Sequence, residues 1–288
     1  MIAIAPATAH VVYIEALREA LPAAERLAAL PQLPTRLMAL NASFYLSDYL
    51  PKPLYRAMLE TSIAAAAEER RAWQQAPVGD APAAVELERL AQAGVARPAL
   101  YRWLFEQAVA SGQPQRLVLA QHACEMAEVL DDRDAARALR VGLLALPDVV
   151  APVGAPLSEP PSAPMLIEAV SRALLCRRIS PAQFVAHLLA LHAATRAREL
   201  IDRAFSAPLT LAAGAIQPLL QSDAMQHTPK RLRVASSCEL ALRAVQPAAQ
   251  PSTDVAVLAV EAGLVEAETL SSAQQLLLLA ALDRLLSS

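Results

Sequence analysis

Apolar residues recur along this chain at the three- and four-residue spacing of an α-helix, in stretches bounded by proline and glycine. The pattern predicts helices over 11–30, 35–50, 54–75, 82–93, 98–110, 114–130 and 132–146. Pro82, Pro98 and Pro114 stand near helix starts, and Gly94 and Gly112 fall just past helix ends. That asymmetry is physical: the first turn does not need the N–H that proline lacks, and glycine accepts the positive φ of a helix exit. Thr35 is placed to N-cap its helix and Pro53 to open the next, while Glu68-Glu69-Arg70-Arg71 reads as a solvated helix end.

The period fails over residues 147–164, which carry Pro147, Pro152, Pro156, Pro160, Pro161 and Pro164, a density that favours extended chain. Helices resume over 165–177, 181–204 with Ser180 as N-cap, 208–221, 229–245, 253–262 and 266–288. The expected fold is all-α, either an irregular multi-helix bundle or two helical sub-domains, 1–146 and 165–288, joined by the 147–164 linker or loop. Three short stretches read as similar helix–helix joints: 91–95, 176–179 and 261–264, each with an apolar residue placed to pack back on the next helix.

Composition supports that picture. Of 288 residues 55% are apolar and 4% aromatic, with 7 Gly against 22 Pro, which disfavours sandwiches, barrels and nucleotide-binding sheets. Only 18% are charged and the net charge is −3, so several helices run short of charge for a solvated face. Some apolar surface is therefore expected to be covered by a second copy or a partner. The longest uncharged run, 204–222, holds Pro208, Pro218, Gln217 and Gln221 and makes a poor membrane span. No Lys or Arg precedes Glu15, which does not suit a signal peptide. Cys124, Cys176 and Cys238 are odd in number and far apart, and read as buried free thiols of a cytoplasmic protein. Lys52 and Lys230 are the sole lysines, which with the alanine bias suggests a GC-rich bacterial coding preference.

The segment richest in candidate chemistry is His122 to Glu128, followed by Asp131, Asp132 and Asp134. Imidazole and carboxylate one helical turn apart are what helical-bundle metal sites use, so His122, Glu125, Glu128 and Asp132 are the candidate metal ligands. Those bundles also use Glu-x-x-His pairs, which this chain lacks, and His187, His192 and Glu199 have poor mutual spacing. Over four residues the run Asp131-Asp132-Arg133-Asp134 resembles the aspartate-rich motif of helical prenyl-chain enzymes, yet Ala135 stands where that motif has its last Asp. An acidic N-cap for the helix that follows explains the run more simply.

Basic residues concentrate between Met165 and Val245, at Arg172, Arg177, Arg178, Arg196, Arg198, Arg203, Lys230, Arg231, Arg233 and Arg243. Aromatic residues gather at Phe44, Tyr45, Tyr49 and Tyr55 around Pro51 and Pro53, and again at Tyr101, Trp103 and Phe105. Partner-binding candidates are accordingly Tyr45, Tyr49, Tyr55, Arg177, Arg178, Lys230, Arg231 and Arg233. There is no Gly-x-Ser-x-Gly elbow and no phosphate-cradling glycine loop. The leading expectation is a non-catalytic helical scaffold, adaptor or assembly factor, forming homo-oligomers or binding another protein, with no cofactor. The alternative is a metal- or cofactor-binding helical-bundle enzyme centred on His122, Glu125 and Glu128. A third reading is nucleic-acid binding through the Arg-rich second half.

Overall fold

A computed structural model describes residues 6–21, 33–73, 82–143, 161–201, 205–222, 227, 229, 231–246 and 252–288. Among these residues the chain is all-α, with thirteen α-helices, one 3-10 helix and no strand. None of the helices is long and apolar enough to cross a membrane. The chain divides into two compact units, one of residues 1–107 and 119–149, the other of residues 108–118 and 150–288. Most of the proline-rich stretch, 144–160, lies outside the described residues.

The first half of the chain runs α1 (Pro6–Ala20), α2 (Thr35–Tyr45), a 3-10 turn (Leu46–Tyr49), α3 (Lys52–Trp73), α4 (Pro82–Gln92), α5 (Arg97–Ala110), α6 (Pro114–Glu128) and α7 (Asp132–Val141). In the first unit α2 lies along α3, α1 packs on both, and α4 packs on α7. Residues 119–127 of α6 are buried on every face, the mark of a central helix rather than an amphipathic surface one. Two expectations need correction at the start of α2. Thr35 is its first helical residue and no side chain of the N-cap position binds the turn. Instead Glu69 of α3 accepts the N–H groups of Arg36 (3.2 Å) and Leu37 (2.8 Å). The acidic end of α3 is therefore a tertiary cap, because a carboxylate aimed at free N–H groups gains both hydrogen bonds and the helix dipole.

The second half runs α8 (Ala163–Leu175), α9 (Pro181–Leu200), α10 (Ala207–Leu220), α11 (Ser237–Ala244), α12 (Thr253–Ala267) and α13 (Ser272–Leu285). In the second unit α8 packs on α9, α10 and α13, and α12 packs on α9, α11 and α13. Ser180 forms a capping box with Gln183 at the head of α9. Residues 256–264 of α12 are all buried, Val257, Leu258, Val260 and Leu264 among them. Side chains of that size each contribute roughly 1.5–3 kcal/mol on full burial. Gly263 lies inside α12 and is no joint: a Cβ there would stand 2.6 Å from Leu282 Cδ1 of α13. The break expected at 263–265 falls instead at 268–271, where Ser271 and Gln274 form a second capping box. α11 is likewise shorter than 229–245, because Ser236 caps it by accepting from the N–H of Glu239 (3.2 Å) and residues 231–236 are irregular.

Three helix exits are left-handed: Gly94 (φ 73°), Gly112 (φ 69°) and Arg177 (φ 60°). The exits of α4 and α8 share one hydrogen-bond pattern, Val95 N–H to Leu90 O and Arg178 N–H to Ala173 O, which closes a Schellman cap. The resemblance between the first two expected joints is this cap. Arginine at that φ costs about 1 kcal/mol relative to glycine.

Candidate functional site

His122 and Glu125 are each 2% exposed and both face α2. There the Asn41 amide Nδ2 lies 3.0 Å from His122 Nδ1 and donates to Glu125 Oε2 at 2.8 Å. Asn41 Oδ1 accepts from the Tyr13 hydroxyl of α1 at 2.7 Å, and Gln121 Nε2 donates to Glu125 Oε1 at 3.2 Å. The carboxylate fixes the amide orientation, since an amide oxygen turned toward Glu125 would set acceptor against acceptor. With an NH₂ group facing it, His122 Nδ1 is an acceptor and the ring proton sits on Nε2. One amide thus joins α1, α2 and α6 through three buried bonds. Burial, followed by the nearby Tyr45, Glu125 and Tyr55, pushes the Tyr13 hydroxyl well above the usual phenol range.

Glu128 and Asp132 do not join this centre. Glu128 accepts from the Tyr101 hydroxyl at 2.6 Å. The Asp132 side chain is 99% exposed and pairs with Arg97 at 2.9 Å. Arg97 also donates to the carbonyls of Ala127 and Leu130 beside a groove of about 290 Å³ lined by Leu87, Leu100 and Leu139. Asp131 caps α7 by accepting from the N–H of Asp134, and both pair with Arg18 of α1. The acidic run is thus spent on helix capping and arginine pairs. Among the described residues no group of three His, Cys, Asp or Glu side chains is arranged to hold a metal ion. Cys124 is buried, which pushes its thiol up, but Cys176 and Cys238 are half-buried, contrary to expectation.

A second buried histidine lies where sequence spacing gave no site. His192 of α9 is 1% exposed, with Nδ1 2.9 Å from Glu266 Oε1 and Nε2 3.8 Å from Glu261 Oε2, both carboxylates on α12. So short a contact places one proton between Nδ1 and the Glu266 carboxyl. The carboxylates approach opposite nitrogens of the ring, so they do not converge on one point as ligands of a shared ion would. The available signal was a pair of glutamates in the otherwise apolar run 255–267 of α12, with no polar face there to hold them.

The tyrosine candidates assemble at the corner where α1, α2 and α3 meet. Tyr13 stacks on Phe44 (centroids 4.4 Å apart, planes at 10°), and Phe44 meets Tyr45 edge-on at 5.5 Å. Tyr45, Tyr49 and Tyr55 are half-buried; burial, then Asp48, raises the Tyr55 hydroxyl. Around them Val11, Pro51, Pro53 and Leu54 are exposed, Leu54 by 40% and Val11 by 50%. The second aromatic group is largely core, with Tyr101 and Phe105 buried and Trp103 half-buried.

Of the basic candidates, Arg177 and Arg178 are exposed at the α8–α9 turn and Arg231 and Arg233 are exposed ahead of α11. Arg233 reaches Asp283 (3.5 Å) and Glu239 (3.6 Å). Lys230 lies outside the described residues. Comparison with protein-family models, curated proteins and solved structures finds no match to this chain.

Proposed function

We propose that this protein is a non-catalytic helical interaction protein, a scaffold, adaptor or assembly factor, that docks onto protein through the tyrosine corner of its first unit. The observation that carries the reading is the gathering of four of the chain's five tyrosines, Tyr13, Tyr45, Tyr49 and Tyr55, at one corner beside exposed Leu54 and Val11. Tyrosine offers a large apolar face and a hydroxyl at small entropic cost, which is why it dominates binding hot spots. Pro51 and Pro53 stiffen the rim, and Tyr13 is anchored from below by Asn41. A surface held in place before binding loses less on association.

A second copy of the chain is the first partner to examine. Native mass spectrometry of the wild type is expected to find a dimer or larger species that Leu54→Asp dissociates. Leu54 is a surface residue, so the melting temperature is expected to stay near that of the wild type. An assembly that survives both Leu54→Asp and Tyr49→Ala would place the interface elsewhere and contradict the reading.

A further inference from the structure

One end of the second unit collects arginine from four separate segments. Arg284 of α13 donates to Leu175 O at the end of α8, which brings α13 beside the Arg177-Arg178 turn. Cys176 Sγ lies 3.7 Å from His227 O, which brings in the chain leading to Arg231 and Arg233. Arg243 of α11 donates to Asp283 at 2.5 Å and to Ser287 Oγ at 2.8 Å. These contacts bring together segments that carry six arginines, Arg177, Arg178, Arg231, Arg233, Arg243 and Arg284, and among the described residues Asp283 and Glu239 are the carboxylates that pair with them. Arg233 and Arg243 converge on Asp283, whose side chain is 6% exposed. Arg177, Arg178 and Arg231 are exposed, and no carboxylate pairs with them among the described residues.

The backbone supplies an independent observation. At the exits of α4 and α5 this chain uses glycine for positive φ, but at the exit of α8 it holds Arg177 at φ 60°. A strained residue persists where its side chain is worth more than the relaxed alternative. The helix needs a left-handed residue there; it does not need a guanidinium. What the guanidinium adds is an exposed positive charge at the turn, next to exposed Arg178.

We infer that this arginine end of the second unit is a docking surface for an acidic segment of a protein partner. Asp283 already illustrates the chemistry in cis, a carboxylate seated between Arg233 and Arg243. Guanidinium forks match carboxylates in two-point bonds. The end carries exposed Val234 but no aromatic platform among the arginine-bearing segments, so it suits a peptide better than stacked bases. The inference rests on the reading of the chain as an interaction protein, but on a surface separate from the tyrosine corner.

The test is fluorescence anisotropy of a labelled peptide of alternating Asp and Glu, alongside a labelled single-stranded RNA, with a thermal melt of every variant. The wild type is expected to bind the peptide, more weakly as salt rises. Arg177→Gly is expected to weaken binding about fivefold while raising Tm by about 2–4 °C, because glycine relieves the strained φ. The double variant Arg178→Ala/Arg231→Ala is expected to weaken binding further with Tm unchanged. Absent peptide binding, peptide affinity unchanged in Arg177→Gly, a lowered Tm in that variant, or RNA bound more tightly than peptide would each overturn the inference. Because Leu54 plays no part in this assay, any of those failures leaves the test of the tyrosine corner standing.

Discussion

The two units solve the same problem, a histidine buried beside carboxylate, in different ways. In the first, Asn41 supplies the bonds: it accepts from Tyr13 and faces His122 and Glu125 with its NH₂ group. In the second no amide intervenes, and His192 meets Glu266 directly with Glu261 at its other nitrogen. The first arrangement binds three helices and ends at an aromatic surface. The second binds α9 to α12 inside the unit. A buried polar network can thus position a surface or fasten a core, and the groups at its outer end show which.

The largest expected effect separates the two centres. His192→Leu removes the ring between two buried carboxylates, and breaking a buried pair by deleting one partner costs about 3–5 kcal/mol. Urea unfolding followed by far-UV circular dichroism should register it. The native fluorescence of Trp73 and Trp103, both in the first unit, should stay as in the wild type.

Asn41→Leu should come next, at about 3 kcal/mol, because the Tyr13 hydroxyl and Glu125 lose a partner inside the core. It should also reduce the near-UV tyrosine signal, since the Tyr13–Phe44 stack loses its anchor. If His192→Leu changed that signal and Asn41→Leu did not, the contrast between positioning and fastening would be wrong.

Close packing offers a smaller contrast. A methyl at Gly142 meets Leu104 Cδ2 at 2.7 Å and Ala123 Cβ at 3.1 Å, whereas the three atoms nearest one at Gly263 all belong to the Leu282 side chain. A leucine tip can turn aside and an alanine Cβ cannot. Gly142→Ala should cost about 1–2 kcal/mol. Gly263→Ala should cost less, being offset by up to about 1 kcal/mol of helix propensity. Urea midpoints of the two variants give the ranking directly.

The smallest effect is a pH dependence. Burial lowers the His187 pKa in the folded state, so the unfolded chain takes up the proton first as pH falls. Stability from this group is complete above the unfolded value of about 6.5 and is lost as pH falls below it toward the folded one. His187→Gln should flatten that acid-side loss between pH 7 and pH 5 in paired urea titrations. An equal slope in both proteins would show that burial does not set this titration.

The helical pattern was legible where proline, glycine and a serine cap mark ends locally: Ser180 and Gly94 stand where the spacing put them. Ends set by tertiary contact were not legible. Glu69 caps α2 from 32 residues away in sequence, and Gly263 serves the approach of Leu282 rather than a turn. The site divides the same way. His122 and Glu125 share a turn and were visible as a pair. Asn41 was not, because its partners lie on two other helices far away in sequence; Glu261 and Glu266 stood out as acids in an apolar run, but their pairing with His192 is set by the packing of α9 on α12 and not by local spacing.

We propose that this protein meets another protein at the tyrosine corner. The most direct test is photo-cross-linking from benzoylphenylalanine in place of Leu54, in cells and with the purified chain, with the same probe at exposed Glu106 of α5 as control. A discrete adduct is expected from position 54, of one dimer mass or one partner mass, that disappears in a Tyr49→Ala background. No adduct from position 54, or the same adducts from both positions, would contradict it.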